Sequence, residues 1–201
     1  MVWIEGETMP KMHRHEGFIR DLGIELAILH SSKEYDNLEI YPIPMIGSNL
    51  ERDNRLWLDC DSFVEDALAD FKGIWRKLNK RCVLHGDLWN ENVIVKENGR
   101  LAGLIDWEHS CVYDPHWEFR MIRRFIGWDG LHTLIYYYNK ESVFNVEYET
   151  IKILDKFWMC HQYIHRIKKE DKSSELFREY MDRWPDCLYS IDKENVGQDK
   201  A

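Results

Sequence analysis

Two short apolar runs meet across a polar loop in the stretch Val83-Leu84-His85-Gly86-Asp87-Leu88-Trp89-Asn90-Glu91-Asn92-Val93-Ile94-Val95. The loop carries a carboxylate at Asp87 and a carboxamide at Asn92. Its second apolar run continues to Asn98-Gly99 and returns as Leu101 to Ile105. Asn-Gly between β-rich runs is a strong two-residue hairpin signal, because that turn needs φ above zero at both central positions. With Asn98-Gly99 as the loop, Glu97 pairs with Arg100, and the register places Asn92 opposite Ile105. Asn92 and Asp106 then stand one rung apart at the open end of the hairpin, and Asp87 lies in the loop feeding that end. Three oxygen-bearing side chains converge by local geometry alone.

The surrounding pattern is helical. Phe18, Ile19, Leu22, Leu26, Ala27 and Leu29 recur at helical spacing between His15 and His30. Residues 33 to 60, with Pro42 and Pro44, read as a long surface connection. Ser62 and Glu65 have the spacing of a capping box, ahead of a stripe made by Val64, Ala67, Leu68, Phe71, Trp75 and Leu78. Helical pattern returns from His116 to about Phe125, broken by Gly127 and Gly130, then over Leu131 to Tyr138, Glu147 to Lys169, and Ser173 to about Trp184. Met1 to Gly6 reads as a short strand with no partner upstream. The expected fold class is mostly α with a small β-hairpin, an α+β arrangement.

At 201 residues the chain can bury roughly 70% of its unfolded surface, enough for a real core. The formal net charge of −9 argues against nucleic acid as a partner, since phosphate backbones demand Lys and Arg. No apolar run is long enough to cross a bilayer, and residues 1–16 do not have the pattern of a signal peptide. The five cysteines are scattered, odd in number and never spaced C-x-x-C, which points to reduced thiols and a cytoplasmic protein.

Phosphoryl transfer requires a metal bridging phosphates, a group that orients the attacking hydroxyl, and charge stabilisation. The protein-kinase pattern H-R-D-x-x-x-x-N, followed by a metal-binding Asp, supplies these parts. Here His85-Gly86-Asp87 and Asn92 reproduce the spacing with Gly in place of Arg, and Asp106 follows after the hairpin. Magnesium takes hard oxygen ligands and keeps several waters, so an Asn and an Asp together with phosphates suffice.

His85-Gly86-Asp87-Leu88-x-x-x-Asn92, then Leu104-Ile105-Asp106-Trp107-Glu108, then Asp114-Pro115, resembles the aminoglycoside phosphotransferase and choline kinase-like family, part of the protein-kinase-like superfamily. The helix ending Leu26-Ala27-Ile28-Leu29-His30-Ser31 is similar to one that precedes the catalytic loop there. The resemblance covers roughly residues 3–125. It implies a protein-kinase-like C-terminal lobe, ATP and Mg²⁺ as cofactors, and transfer of the γ-phosphate to a hydroxyl of a small molecule, aminoglycoside-like or another small amine or alcohol. It implies that Asp87 is the catalytic base and His85 its buttress, that Asn92 and Asp106 hold magnesium, and that Trp3 and Ile4 form a hinge contacting the nucleotide. Asp114 takes a structural role. Glu118 stands where the family more often has Asp, a departure of little expected consequence.

On this reading residues 1–10 are a hinge-like strand remnant, 11–191 a kinase-like C-lobe and 192–201 a polar tail. The lobe holds the catalytic loop at 83–95, the metal segment at 101–108 and a helical region at 116–191. Gly6, Gly17 and Gly23 form no glycine-rich loop, and no strand carries the phosphate-pairing Lys, so the N-terminal β-lobe is expected to be absent and the chain alone catalytically weak or dead. The rival reading is a non-catalytic remnant or interaction module that associates with itself or a partner chain through the face exposed near Trp3 and Ile4. A hydrolase or metal-binding protein using the same carboxylates is a further rival.

Other residues have plainer explanations. His161 and His165, or His109, Cys111 and His116, have spacings open to metal but lack a complete ligand set. Trp89, Trp107, Trp117 and Trp128 crowd the motifs. They are read mainly as packing, with Trp89 the candidate for holding a cationic substrate. Glu91, Glu108, Glu175, Glu179 and Asp182 read as solvated.

Overall fold

A computed structural model describes residues 4–9, 15–32, 38–40, 43–58 and 60–170. Its elements run β1 (Glu7–Thr8), α1 (Glu16–Ser31), α2 (Ile43–Trp57), α3 (Ser62–Ile74), β2 (Cys82–Leu84), β3 (Val93–Val95), β4 (Leu101–Leu104), β5 (Cys111–Tyr113), α4 (Arg123–Glu141) and α5 (Tyr148–Glu170). Short 3₁₀ turns punctuate them, the longest at Pro115–Met121. The fold is mostly helical with small sheets, the α+β class expected from one hairpin among helical periodicities.

Two sheets flank the polar loop. β1, β3 and β4 form an antiparallel sheet in that order, and β2 pairs antiparallel with β5. The N-terminal strand finds its partner downstream, on β3, but it forms at Glu7–Thr8, after the expected Met1–Gly6 stretch, whose residues 4–6 are not strand; residues 1–3 lie outside the described residues.

Among the described residues the buried side chains form two cores. One gathers Leu50, Val64, Leu68 and Phe71 from α2 and α3 with Leu84, Cys111, Trp117, Leu154 and Phe157. The other gathers Phe18, Leu22 and Leu26 from α1 with Leu88, Val93, Leu101, Phe119, Phe125 and Leu134. The chain passes from the first core to the second between Leu84 and Leu88. His85, Gly86 and Asp87 are therefore strung between two packed bodies, and the loop inherits their rigidity.

Several local expectations need correction. The connection at residues 33–60 contains α2, with Ile46, Leu50 and Asn54 buried at four-residue spacing. Pro44 falls in the first turn of α2, where a missing N–H breaks no intrahelical bond. The cap of α3 is Asp61, whose Oδ1 accepts from the Phe63 amide at 2.9 Å, and Ser62 is already helical. Only Gly127 breaks α4, with φ 75 and ψ 173. Gly130 stays helical and lets Ile126 approach to 2.9 Å of where a Cβ would sit. The expected helix at 173–184 lies outside the described residues. No helix among the described residues is long and apolar enough to cross a membrane.

The hairpin turn is wider than two residues. Lys96 donates to the Arg100 carbonyl at 2.8 Å, leaving Glu97, Asn98 and Gly99 as the loop, with Gly99 at φ 73. Asn98 Oδ1 accepts from the Arg100 amide at 3.1 Å. An irregularity between Ile94 and Val95 then restores the register, so Val93 faces Leu104. The Ile105 amide donates to the Asn92 carbonyl at 3.0 Å. The expected opposition of Asn92 and Ile105 is present, although the turn that should set it is not the one expected. At the far end of the hairpin, Arg100 grips Asp21 of α1 with two nitrogens.

Candidate active site

The loop is held from below by one buried carboxylate. Glu118 is 1% exposed, and its two oxygens accept from the backbone amides of His85 at 2.5 Å and Gly86 at 3.2 Å. His30 of α1 places Nε2 3.7 Å from the same carboxylate and shares a 2.8 Å hydrogen bond through Nδ1 with the Tyr138 hydroxyl. Burial pushes the Glu118 carboxyl up, but His30, His85 and Arg120 outweigh it and hold the group below its ordinary value. Its ionised form is the one that accepts both amides. Glu118 thus engages the loop through both of its oxygens.

Gly86 is required by its surroundings. Its φ is 85, and a Cβ there would lie 2.1 Å from the His109 carbonyl oxygen. That contact explains why Arg, the residue of the protein-kinase pattern, is absent from the position. A guanidinium nevertheless reaches the spot: Arg120 donates from Nη2 to the Gly86 carbonyl at 2.7 Å.

His85 is fully buried and donates from Nε2 to the Ile105 carbonyl at 2.8 Å. Its ring lies 4.6 Å from that of Trp107. The imidazole thus ties the loop to the end of β4, immediately before Asp106.

Asn92 completes the connection. Its Nδ2 donates to the Asp87 carbonyl at 2.8 Å and to the Asp87 carboxylate at 3.4 Å. Its own carbonyl receives Ile105, so Asn92 touches both the loop and the strand that delivers Asp106. Asp106 adopts a left-handed conformation, φ 64 and ψ 66, a region that non-glycine residues rarely enter and Asp tolerates better than most. Asp87 is half-buried and Asp106 exposed. The structure therefore brings Asp87, Asn92, Asp106 and His85 together.

These residues fit a magnesium–phosphate complex. Both amide hydrogen bonds of Asn92 leave from Nδ2, so its Oδ1 remains an available acceptor, and Asp106 offers a carboxylate to solvent. One neutral and one charged oxygen donor leave room for the waters and phosphates that magnesium retains. Among the described residues no group of three or more His, Cys, Asp or Glu side chains is placed to hold a metal by itself. His116 instead pairs with Asp114 at 2.6 Å and accepts the Glu147 amide at 2.9 Å. Asp114 also receives the Lys80 amide at 3.1 Å, a structural role at the foot of β2.

The tryptophans are engaged from within. Arg120 lies over Trp117, Arg123 over Trp128 and Arg124 over Trp89, at 4.7, 4.8 and 5.4 Å from the ring centroids. The cation over Trp89 is thus the chain's own Arg124. Trp3, Glu175, Glu179 and Asp182 lie outside the described residues. Ile4 lies against Gly103 on β4, its Cδ1 3.0 Å from where a Cβ would sit. Met9 follows the hairpin too, donating to the Val93 carbonyl at 2.8 Å and accepting from Asn90 Nδ2 at 3.3 Å. Sequence reasoning underrated Glu118 and missed Arg120, because each meets the loop more than 30 residues away in sequence.

The model of the phosphotransferase enzyme family matches this sequence over residues 1–141. The chain belongs to that family. This phosphotransferase-family chain is similar in fold to a macrolide 2'-phosphotransferase type I, with a TM-score of 0.63 and 17% identity, covering 96% of this chain and 68% of that one. It is likewise similar to a wild-type aminoglycoside 2'-phosphotransferase-IIIa in complex with GDP, with a TM-score of 0.69 and 13% identity over 90% and 68% of the two chains. For the choline kinase LicA of Streptococcus pneumoniae the TM-score is 0.60, with 22% identity over 92% and 68%. In sequence, 58 residues are 33% identical to the uncharacterized protein YcbJ of Bacillus subtilis (strain 168), 29% of this chain but only 19% of that protein. The phosphotransferase-family chain thus spans about two thirds of the solved relatives' length and matches less than a fifth of YcbJ.

Proposed function

We propose that this chain carries the catalytic lobe of a small-molecule kinase that transfers the γ-phosphoryl group of Mg-ATP to a substrate hydroxyl. The observation that carries the reading is the double tie made by Asn92, which joins Asp87 to the strand end bearing Asp106. Family membership supports it. So do the complexes of the structural relatives: aminoglycoside 2'-phosphotransferase-IIIa with GDP, APH(2")-IIIa with GDP and kanamycin, and LicA with AMP.

In this reading Asp87 orients the acceptor hydroxyl and takes its proton, while Asn92 fixes the carboxylate's direction. Asn92 Oδ1 and the Asp106 carboxylate hold magnesium, which when bound neutralises charge on the phosphates. His85 and Glu118 keep the loop from turning away. Ile4, packed against Gly103, contributes to the hinge against which the nucleotide base rests. The acceptor is an aminoglycoside-like molecule or another small amine or alcohol.

Single-turnover release of labelled γ-phosphate from ATP and Mg²⁺, with water as acceptor, tests the reading on the full chain. Asp87→Asn should slow it by about 10²-fold or more, since positioned general bases contribute ~10²- to 10⁴-fold. Release at the wild-type rate from the variant would refute the role of Asp87.

A further inference from the structure

We infer that Arg120 is a positioning residue for phosphoryl transfer, locking the peptide plane that precedes Asp87 and making α5 part of the catalytic apparatus. The inference rests on the kinase reading of Asp87. The peptide between Gly86 and Asp87 carries the carbonyl that Arg120 binds at 2.7 Å. Rotation of that plane would swing Asp87 before any side-chain torsion changes, and Gly86, lacking a Cβ, does little to resist it. The N–H of Gly86 is already taken by Glu118. Glu118 and Arg120 therefore hold Gly86 from its two ends, one by its donor and one by its acceptor.

The guanidinium is itself aimed by aromatic surroundings. Arg120 is 2% exposed and donates from Nη1 to the Trp117 carbonyl at 2.7 Å. Its central carbon lies 4.7 Å from the ring centroids of both Trp117 and Trp158. Those two rings meet nearly at right angles, at 78° with centroids 5.4 Å apart, so they form a corner that receives the planar cation. Trp158 belongs to α5. Its indole nitrogen donates to the Met121 sulfur at 2.9 Å, and its face stacks on His161 at 4.9 Å. A displacement of α5 thus reaches Asp87 through one side chain and one peptide. Lysine has the charge but not the flat fork that fits this corner and binds two carbonyls together.

The test uses Arg120→Lys and Trp158→Leu in the full chain, the second keeping Arg120 and removing one wall of the corner. Amide hydrogen exchange over residues 84–90 and the kinetics of phosphate release from Mg-ATP are read side by side. Arg120→Lys should speed exchange in that peptide by about tenfold or more while α1 and α4 exchange as in wild type. It should lower kcat by about tenfold or more with KM for Mg-ATP within about twofold, because misplacement of a reacting group costs rate rather than nucleotide binding. Trp158→Leu should move both in the same direction and less far, and it carries the test if the lysine variant does not fold. Unchanged exchange at 84–90, or a loss confined to KM, would overturn the inference. Absence of phosphate release by the wild-type chain bears on the kinase reading alone. The exchange result then decides whether Arg120 holds the loop.

Discussion

The side-chain amide of Asn92 donates to both the main-chain carbonyl and the carboxylate of Asp87, at 2.8 and 3.4 Å. The two lie five positions apart in sequence, and the loop between them is short enough that this contact closes it. The Asn92 carbonyl simultaneously accepts Ile105, so one residue sets the spacing between the carboxylate that meets a hydroxyl and the strand end that presents Asp106. A carboxamide suits this place because it donates through one atom while keeping an oxygen for a cation.

Gly86 should be intolerant of any side chain. A Cβ would stand 2.1 Å from the His109 carbonyl, and φ 85 is itself unfavourable for alanine. Gly86→Ala should destabilise by about 3 kcal/mol or more, which for a chain of this size lowers Tm by ~6–12 °C. Differential scanning calorimetry of the variant measures it. A change of about a degree would mean that the loop is not packed against residue 109 as described.

Glu118→Gln should cost stability in a pH-dependent way. The neutral amide can accept one loop N–H but sets a donor against the other, a loss of about 2–3 kcal/mol at neutral pH. The folded-state pKa of Glu118 lies below the ordinary 4.5. Its stabilisation is therefore complete above that value and disappears as pH falls through the folded pKa. Urea midpoints at pH 7 should separate wild type from variant clearly, and the gap should close as the solution is acidified below about 4.5. A gap that is constant with pH would show that the Glu118 charge is not what holds the loop.

Much of the site was legible because it is local. Asp87, Asn92 and Asp106 lie within 20 residues and are brought together by one loop and one hairpin, whose pattern has period two. Asn-Gly does not fix the turn, because it also occurs in a three-residue loop, and the bulge between Ile94 and Val95 restores the register that a two-residue turn predicts. Helix α2 was hidden by Pro42 and Pro44 and by a narrow apolar stripe. Glu118 and Arg120 were invisible as loop supports for a different reason. Their contacts depend on how the 3₁₀ segment after β5 passes beneath the loop, and no periodicity in the sequence encodes that crossing. The resemblance marked position 118 but could not show that the longer Glu would meet two amides and His30.

The most direct measurement is a thermal-shift titration with ATP in the presence and absence of Mg²⁺, on wild type and Asp106→Asn. Asparagine tolerates the left-handed backbone at this position, so the variant without ligand should unfold within about a degree or two of wild type. The account predicts a saturable, magnesium-dependent rise in the wild-type Tm, by the usual linkage of binding to stability. It predicts that Asp106→Asn loses the magnesium-dependent part. An equal rise in both proteins, or none in wild type, would contradict a magnesium–nucleotide site at Asn92 and Asp106.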